Sequence, residues 1–158
     1  MRYAFLLAVF AVGCDKEIGD ECVVSSDCDP NGDRFCDTSS KPGGYCTIQG
    51  CAFDSCPEEA VCVRFFTGSF SNKSCDPTVP RDASGCSLDE LCSLVGECVP
   101  RSSEIRFCMR KCDDGGDCRD GYECRNIERM KAHGGEPVLQ DGQIVDERAP
   151  KFCAVAPT

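Results

Sequence analysis

The sequence predicts a small disulfide-rich fold, mostly irregular with short β-hairpins, built as two tandem eight-cysteine modules. Three observations carry this. Cysteine supplies 17 of 158 residues, a density typical of disulfide scaffolds in oxidising compartments and foreign to the reducing cytosol. After Cys14, Leu, Ile, Val and Phe together make up only 26 of 144 residues, too few for an apolar core to offset chain entropy unaided. The cysteines also recur in ordered spacing.

The N-terminus is the most easily read segment. Arg2 precedes an apolar run from Tyr3 to Val12, then Gly13 and Cys14. Ten apolar residues are too few to span about 30 Å of hydrocarbon. A positive residue, a short apolar stretch and small residues at its end make a secretory signal peptide over residues 1–13. Ala11-Val12-Gly13-Cys14 resembles a bacterial lipobox, with Ala11 where Leu is usual. That resemblance implies a lipidated Cys14 and a tether over residues 14–21. Ordinary cleavage after Gly13 is the alternative. Parity favours lipidation, because removing Cys14 leaves sixteen cysteines. The expected setting is extracytoplasmic and membrane-anchored, at the cell envelope or surface.

The remaining cysteines divide into matching strings. Cys22, Cys28, Cys36, Cys46, Cys51, Cys56, Cys62 and Cys75 form module 1 (22–75). Cys86, Cys92, Cys98, Cys108, Cys112, Cys118, Cys124 and Cys153 form module 2 (86–153), with a long loop over 125–152. Six successive spacers agree within two residues. All sixteen are assigned to disulfides, and residues 76–85, rich in Pro, Asp and Ser, read as the linker. Each module divides into two tetrads by the same spacing. Sixteen cysteines pair in far too many ways for spacing to choose. Within tetrads, a crossed first-to-third, second-to-fourth arrangement would lock each unit most fully.

Secondary structure is expected to be sparse, because Gly, Pro, Asn, Asp and Ser punctuate the loops. A hairpin is expected where Val63 to Phe66 meets Ser69 to Ser71 across Thr67-Gly68. A second is expected where Pro137 to Gln140 meets Gln143 to Asp146 across Asp141-Gly142. Ser87 to Leu91 reads as one helical turn.

Cys112 to Cys124, and in part Cys22 to Cys28, follow the pattern C-x4-D-C-x5-C. In this the units resemble the Dickkopf N-terminal and EB-type cysteine-rich modules of extracellular proteins, and the whole chain resembles cysteine-rich bacterial lipoproteins. The resemblance rests on Cys, Asp and Gly and transfers no functional residue.

The net charge of −10 argues against nucleic acid as a partner. The expected partners are a membrane, reached through the lipid, and a protein or glycan. No cofactor and no catalytic activity are expected: Trp is absent, His133 is the single histidine and reads as an exposed loop residue, and no nucleophile or metalloprotease motif occurs. The function expected is a lipid-anchored binding or structural protein. A protease-inhibitor-like or toxin-like protein is the alternative, with Lys41 to Gly44 or Arg101 to Glu104 as its exposed loop. A calcium-binding module is a second alternative, because Asp27, Asp29, Asn31 and Asp33 match the front of a calcium loop; its twelfth position, however, is Thr38. Phe65, Phe66 and Phe70 crowd one short segment and are candidates for a binding surface, with the scarce core the favoured reading.

Overall fold

In the computed structural model, which describes residues 16–68 and 72–157, one small motif occurs four times. Two cysteines from a turn-rich segment are bonded to two cysteines that face each other across an antiparallel strand pair. In the first unit, β1 (Glu21–Cys22), α1 (Ser25–Cys28), β2 (Phe35–Asp37) and β3 (Gly44–Thr47) set Cys36 opposite Cys46. These two are tied to Cys22 and Cys28. In the second unit, β4 (Ala60–Phe66) sets Cys62 opposite Cys108, tied to Cys51 and Cys56. The third lies in the chain between Cys62 and Cys108, where β5 (Glu90–Cys92) and β6 (Cys98–Pro100) set Cys92 opposite Cys98, tied to Cys75 and Cys86. After β7 (Glu104–Arg110), the fourth unit holds β8 (Tyr122–Arg125), α2 (Ile127–His133), β9 (Glu136–Pro137) and β10 (Phe152–Val155). There Cys124 faces Cys153, and the two are tied to Cys112 and Cys118.

Directly opposed residues on an antiparallel pair project from the same face of the ladder, so both strand cysteines meet the one loop and each is bonded to one of its two cysteines. The loop preceding them is held by a repeated cap. Asp27, one residue before the second cysteine, accepts the N–H groups of Val23 at 2.8 Å and Val24 at 3.1 Å. Asp117, the equivalent residue, accepts those of Asp113 at 2.7 Å and Asp114 at 3.1 Å. Ser55 accepts that of Ala52 at 2.8 Å. The aspartate of the C-x4-D-C pattern is therefore a local backbone acceptor that closes the turn between two cysteines.

The expectation of two modules, each closing its own four bridges, is overturned. Cys56–Cys108 and Cys75–Cys92 both join residues 22–75 to residues 86–153. The crossed pairing expected within each tetrad holds in the first and last tetrads and for Cys51–Cys62 and Cys86–Cys98, but Cys56 does not pair with Cys75 nor Cys92 with Cys108. Cys75 opens the third unit and Cys108 closes the second, so one unit is nested inside another. Residues 76–85 are accordingly not a linker between halves. They lie within the third unit, between two bridged cysteines, and contain a 3-10 turn over Arg81–Ala83.

Local expectations also change. β4 pairs with β7 along its whole length and with β9 at Val63 and Arg64; the strand expected opposite it, residues 69–71 with Phe70, lies outside the described residues. Around Asp141-Gly142 there is a turn, closed by Gln143 N–H on the Gln140 carbonyl at 3.0 Å, with positive φ at Gly142 alone; no strand ladder flanks it, because Pro137 enters β9 instead. Residues 87–89 form a turn rather than a helix, and Glu90 begins a strand. The span 125–152, expected to be loop, contains α2 and β9. α2 starts at Asn126, whose side chain accepts the Arg129 N–H, and stops at Gly134 at φ +82°.

The central sheet has the order β7-β4-β9. The first unit joins its outer edge, where the Cys108 N–H reaches the Ile48 carbonyl and the Gly50 N–H the Arg106 carbonyl, both at 2.9 Å. The fourth unit joins through the bridge Lys111↔Phe152. These contacts bury Ile18, Tyr45, Val63, Met130 and Phe152 in one apolar cluster, to which the third unit contributes Leu94. Removing one native disulfide from such a domain costs roughly 2–5 kcal/mol, comparable with the whole stability of a small domain. The extensive disulfides are consistent with an extracellular protein. Among the described residues no helix is long and apolar enough to cross a membrane.

Candidate ligand-binding cleft

Alternation along β4 and β7 puts Phe65, Phe107 and Met109 on one face of the central sheet, because Val63 faces Phe107 and Val61 faces Met109. Over this face the first and fourth units meet and leave a cleft of about 300 Å³. Its walls are aromatic. Phe65 and Phe107 lie 6.3 Å apart between ring centroids, and Tyr45 of β3 stacks on Tyr122 of β8 at 5.4 Å. Thr47, Ala154 and Val155 complete the floor, while Asp37, Ser40 and His133 supply polar groups.

Each of these groups is held from behind. The Tyr45 hydroxyl donates to the Cys153 carbonyl at 3.3 Å and accepts the Arg110 N–H at 2.9 Å. Burial pushes the Tyr45 phenol well above its ordinary range, and burial likewise raises Tyr122. Both rings therefore stay neutral near pH 7. The Arg119 guanidinium sits 4.2 Å from the Tyr122 ring centroid and donates to the Tyr122 hydroxyl at 2.5 Å and the Gly44 carbonyl at 2.7 Å. It thus clamps the two units together with a cation on the outer π face.

Arg125 is buried, and its charge is answered on every side. It donates to Glu123 at 3.1 Å and to the carbonyls of His133, Gly134 and Val155, each at 2.8 Å. Two of those carbonyls close α2, where the helix end is negative. Burial lowers the Arg125 pKa, yet guanidinium remains charged in proteins. Glu123 also lies 2.6 Å from His133 Nδ1. A carboxylate only accepts, so the proton sits on Nδ1, and Nε2 makes no hydrogen bond among the described residues. No hydroxyl hydrogen-bonds to the His133 imidazole among the described residues. It is a positioned polar contact at the cleft.

The sequence-derived candidates are distributed as follows. All sixteen cysteines after Cys14 are bonded in eight pairs. Cys14 lies outside the described residues. Phe65 belongs to the cleft, where it also meets Phe152 edge-on at 6.3 Å, whereas Phe66 lies under the Arg64 guanidinium at 5.8 Å. The calcium-loop residues are engaged with their own backbone: Asp27 caps α1, and Asp29 accepts the Asn31 N–H at 2.7 Å and the Asp33 N–H at 3.1 Å. His133 is not a free loop residue but the end of α2. Of the two loops considered for protease inhibition, Lys41 to Gly44 packs Pro42 against Gly121, and Arg101 to Glu104 forms a 3-10 turn leading into β7.

Sequence reasoning missed Tyr45, Phe107, Tyr122 and Arg125. They stand in three elements, β3, β7 and β8, that only the fold brings together. The usable signal was composition: two of the chain's three tyrosines each stand one or two residues from a tetrad cysteine. Comparison with protein-family models, with curated proteins and with solved structures finds no match.

Proposed function

We propose that this chain is an extracytoplasmic binding protein, lipid-anchored at Cys14, that holds a small, ring-bearing and largely apolar molecule between its first and fourth units. The observation that supports this reading is the aromatic cleft itself. Concave sites walled by aromatic side chains, with a few positioned polar groups, are the usual form of small-molecule sites. Here disulfides and the Arg119 clamp pre-organise the walls, which reduces the ordering cost of binding. Asp37, Ser40 and the His133 Nε2 would select the ligand's polar group. The anchor would keep the site at the membrane surface.

The chain from Asp15 onward has no tryptophan and only two tyrosines, Tyr45 and Tyr122. Its intrinsic fluorescence is therefore a reporter of this cleft. Titration with the neutral probe N-phenyl-1-naphthylamine should raise probe emission and alter tyrosine emission with one saturation curve. Val155→Phe, which fills the cleft, should weaken binding at least tenfold. Absence of a saturable response, or an unchanged response in Val155→Phe, would overturn the proposal.

A further inference from the structure

We infer that the opposite face of the central sheet carries a second, independent binding site, an arginine cleft that takes the carboxylate of a small aliphatic acid. The alternation that points Phe65 and Phe107 one way points Arg64 and Arg106 the other, and the register places these two arginines directly opposite each other. Like charges in that relation are unfavourable in a sheet. Two buried carboxylates offset them in part. Glu136, opposite Arg64 on β9, accepts from Arg64 at 2.9 and 3.1 Å, and its other oxygen takes the Leu94 N–H at 2.5 Å. Glu104 accepts from Arg106 at 2.6 Å.

Arg81 and Arg101 also line this cleft, and these have no such answer. Arg81 donates to the Leu88 carbonyl at 3.1 Å, and among the described residues the Arg101 side chain makes no hydrogen bond, its Nε buried without a partner. Among the described residues neither has a carboxylate within 4.0 Å. Four arginines thus line about 180 Å³ of space together with Glu136 and Asp141, and Glu104 is paired with Arg106. A local surplus of positive charge stands out in a chain of net charge −10. A planar guanidinium fork matches the two oxygens of a carboxylate. The rest of the wall is aliphatic: Val79, Leu91, Leu94 and Ile144. The volume suits a short chain rather than a large ligand.

Hexanoate is a fitting probe, with hexanamide as its neutral counterpart and inorganic phosphate as an anion without an aliphatic body. Each is titrated into the oxidised protein and followed by the backbone amide resonances of Leu94, Arg101 and Val138. The expected result is saturable shifts with hexanoate at least tenfold tighter than with hexanamide or phosphate. Arg81→Gln combined with Arg101→Gln should weaken hexanoate at least tenfold and flatten its salt dependence, with the tyrosine near-ultraviolet dichroism unchanged. If those substitutions disturb that signal, the single change Arg81→Gln, at an exposed position, should still weaken binding at least threefold. Equal binding of hexanamide would overturn the site as an anion receptor, and equal binding of phosphate would overturn the aliphatic acid as its ligand. Absence of saturable shifts, or an affinity untouched by the arginine changes, would overturn the inference outright.

Discussion

Tyr45 and Tyr122 stack at 5.4 Å between ring centroids, a contact that joins the first and last cysteine units. Around it the units are closely fitted. Arg119 crosses from the fourth unit to the Gly44 carbonyl of the first at 2.7 Å, and Pro42 lies against Gly121. The aromatic cleft exists because these two units meet over the central sheet. Its integrity therefore depends on long-range packing that no single unit can supply.

The nested bridges lead to an expected disulfide map. Digestion of the unreduced protein should give peptides joining Cys56 to Cys108 and Cys75 to Cys92. A single cut within residues 76–85 should leave one covalent species, because other bridges still join the fragments. Release of two separate halves on such a cut would restore the tandem-module arrangement.

Gly121 tests the fit between the first and fourth units. It adopts φ +81°, and a Cβ there would overlap the Pro42 ring. Gly121→Ala should cost about 1–3 kcal/mol through overpacking, beyond the strain of its left-handed backbone. Gly142→Ala is the reference, since it has φ +85° and open space around it. Denaturant unfolding of both variants measures the difference, and equal losses would mean that the contact contributes nothing.

Acid should loosen the capped turns first. Backbone N–H donors hold the carboxyls of Asp27 and Asp117 below their ordinary value, with Val23 and Asp113 the largest contributors. A carboxylate whose pKa is lower in the folded state stabilises the fold above its unfolded pKa. That contribution is lost as pH falls through the folded value. Stability should therefore decline below about pH 4, where aspartate protonates. Asp27→Asn and Asp117→Asn keep an acceptor oxygen and remove the titration, so together they should flatten the acid limb of thermal unfolding curves.

Anchoring is tested at the residue that would carry it. The wild-type chain expressed in a bacterial host should partition with membranes and take up a fatty-acid label. Cys14→Ser should abolish labelling and leave the precursor uncut. Unlabelled, soluble wild-type protein with one free thiol would overturn lipidation.

The cysteine content and spacing by themselves determined the class of fold and the reliance on bridges. The structure decided the pairing, which is crossed within Cys22, Cys28, Cys36 and Cys46 and within Cys112, Cys118, Cys124 and Cys153. Short spacers of this kind carry geometric information, since a turn between two cysteines sets which later pair of strands can reach them. The partners of Cys56 and Cys75 were decided only in three dimensions. Cys62 finds Cys108 across 45 intervening residues because β4 and β7 share a seven-residue ladder. Strand pairing depends on complementary faces, and those are invisible to counting along the chain. The same holds for both clefts. Phe65 and Phe107 line one side of the sheet and Arg64 and Arg106 the other because opposed strands impose period-two alternation on residues far apart in sequence. Sequence spacing records local reach; only tertiary packing decides which distant side chains share a face.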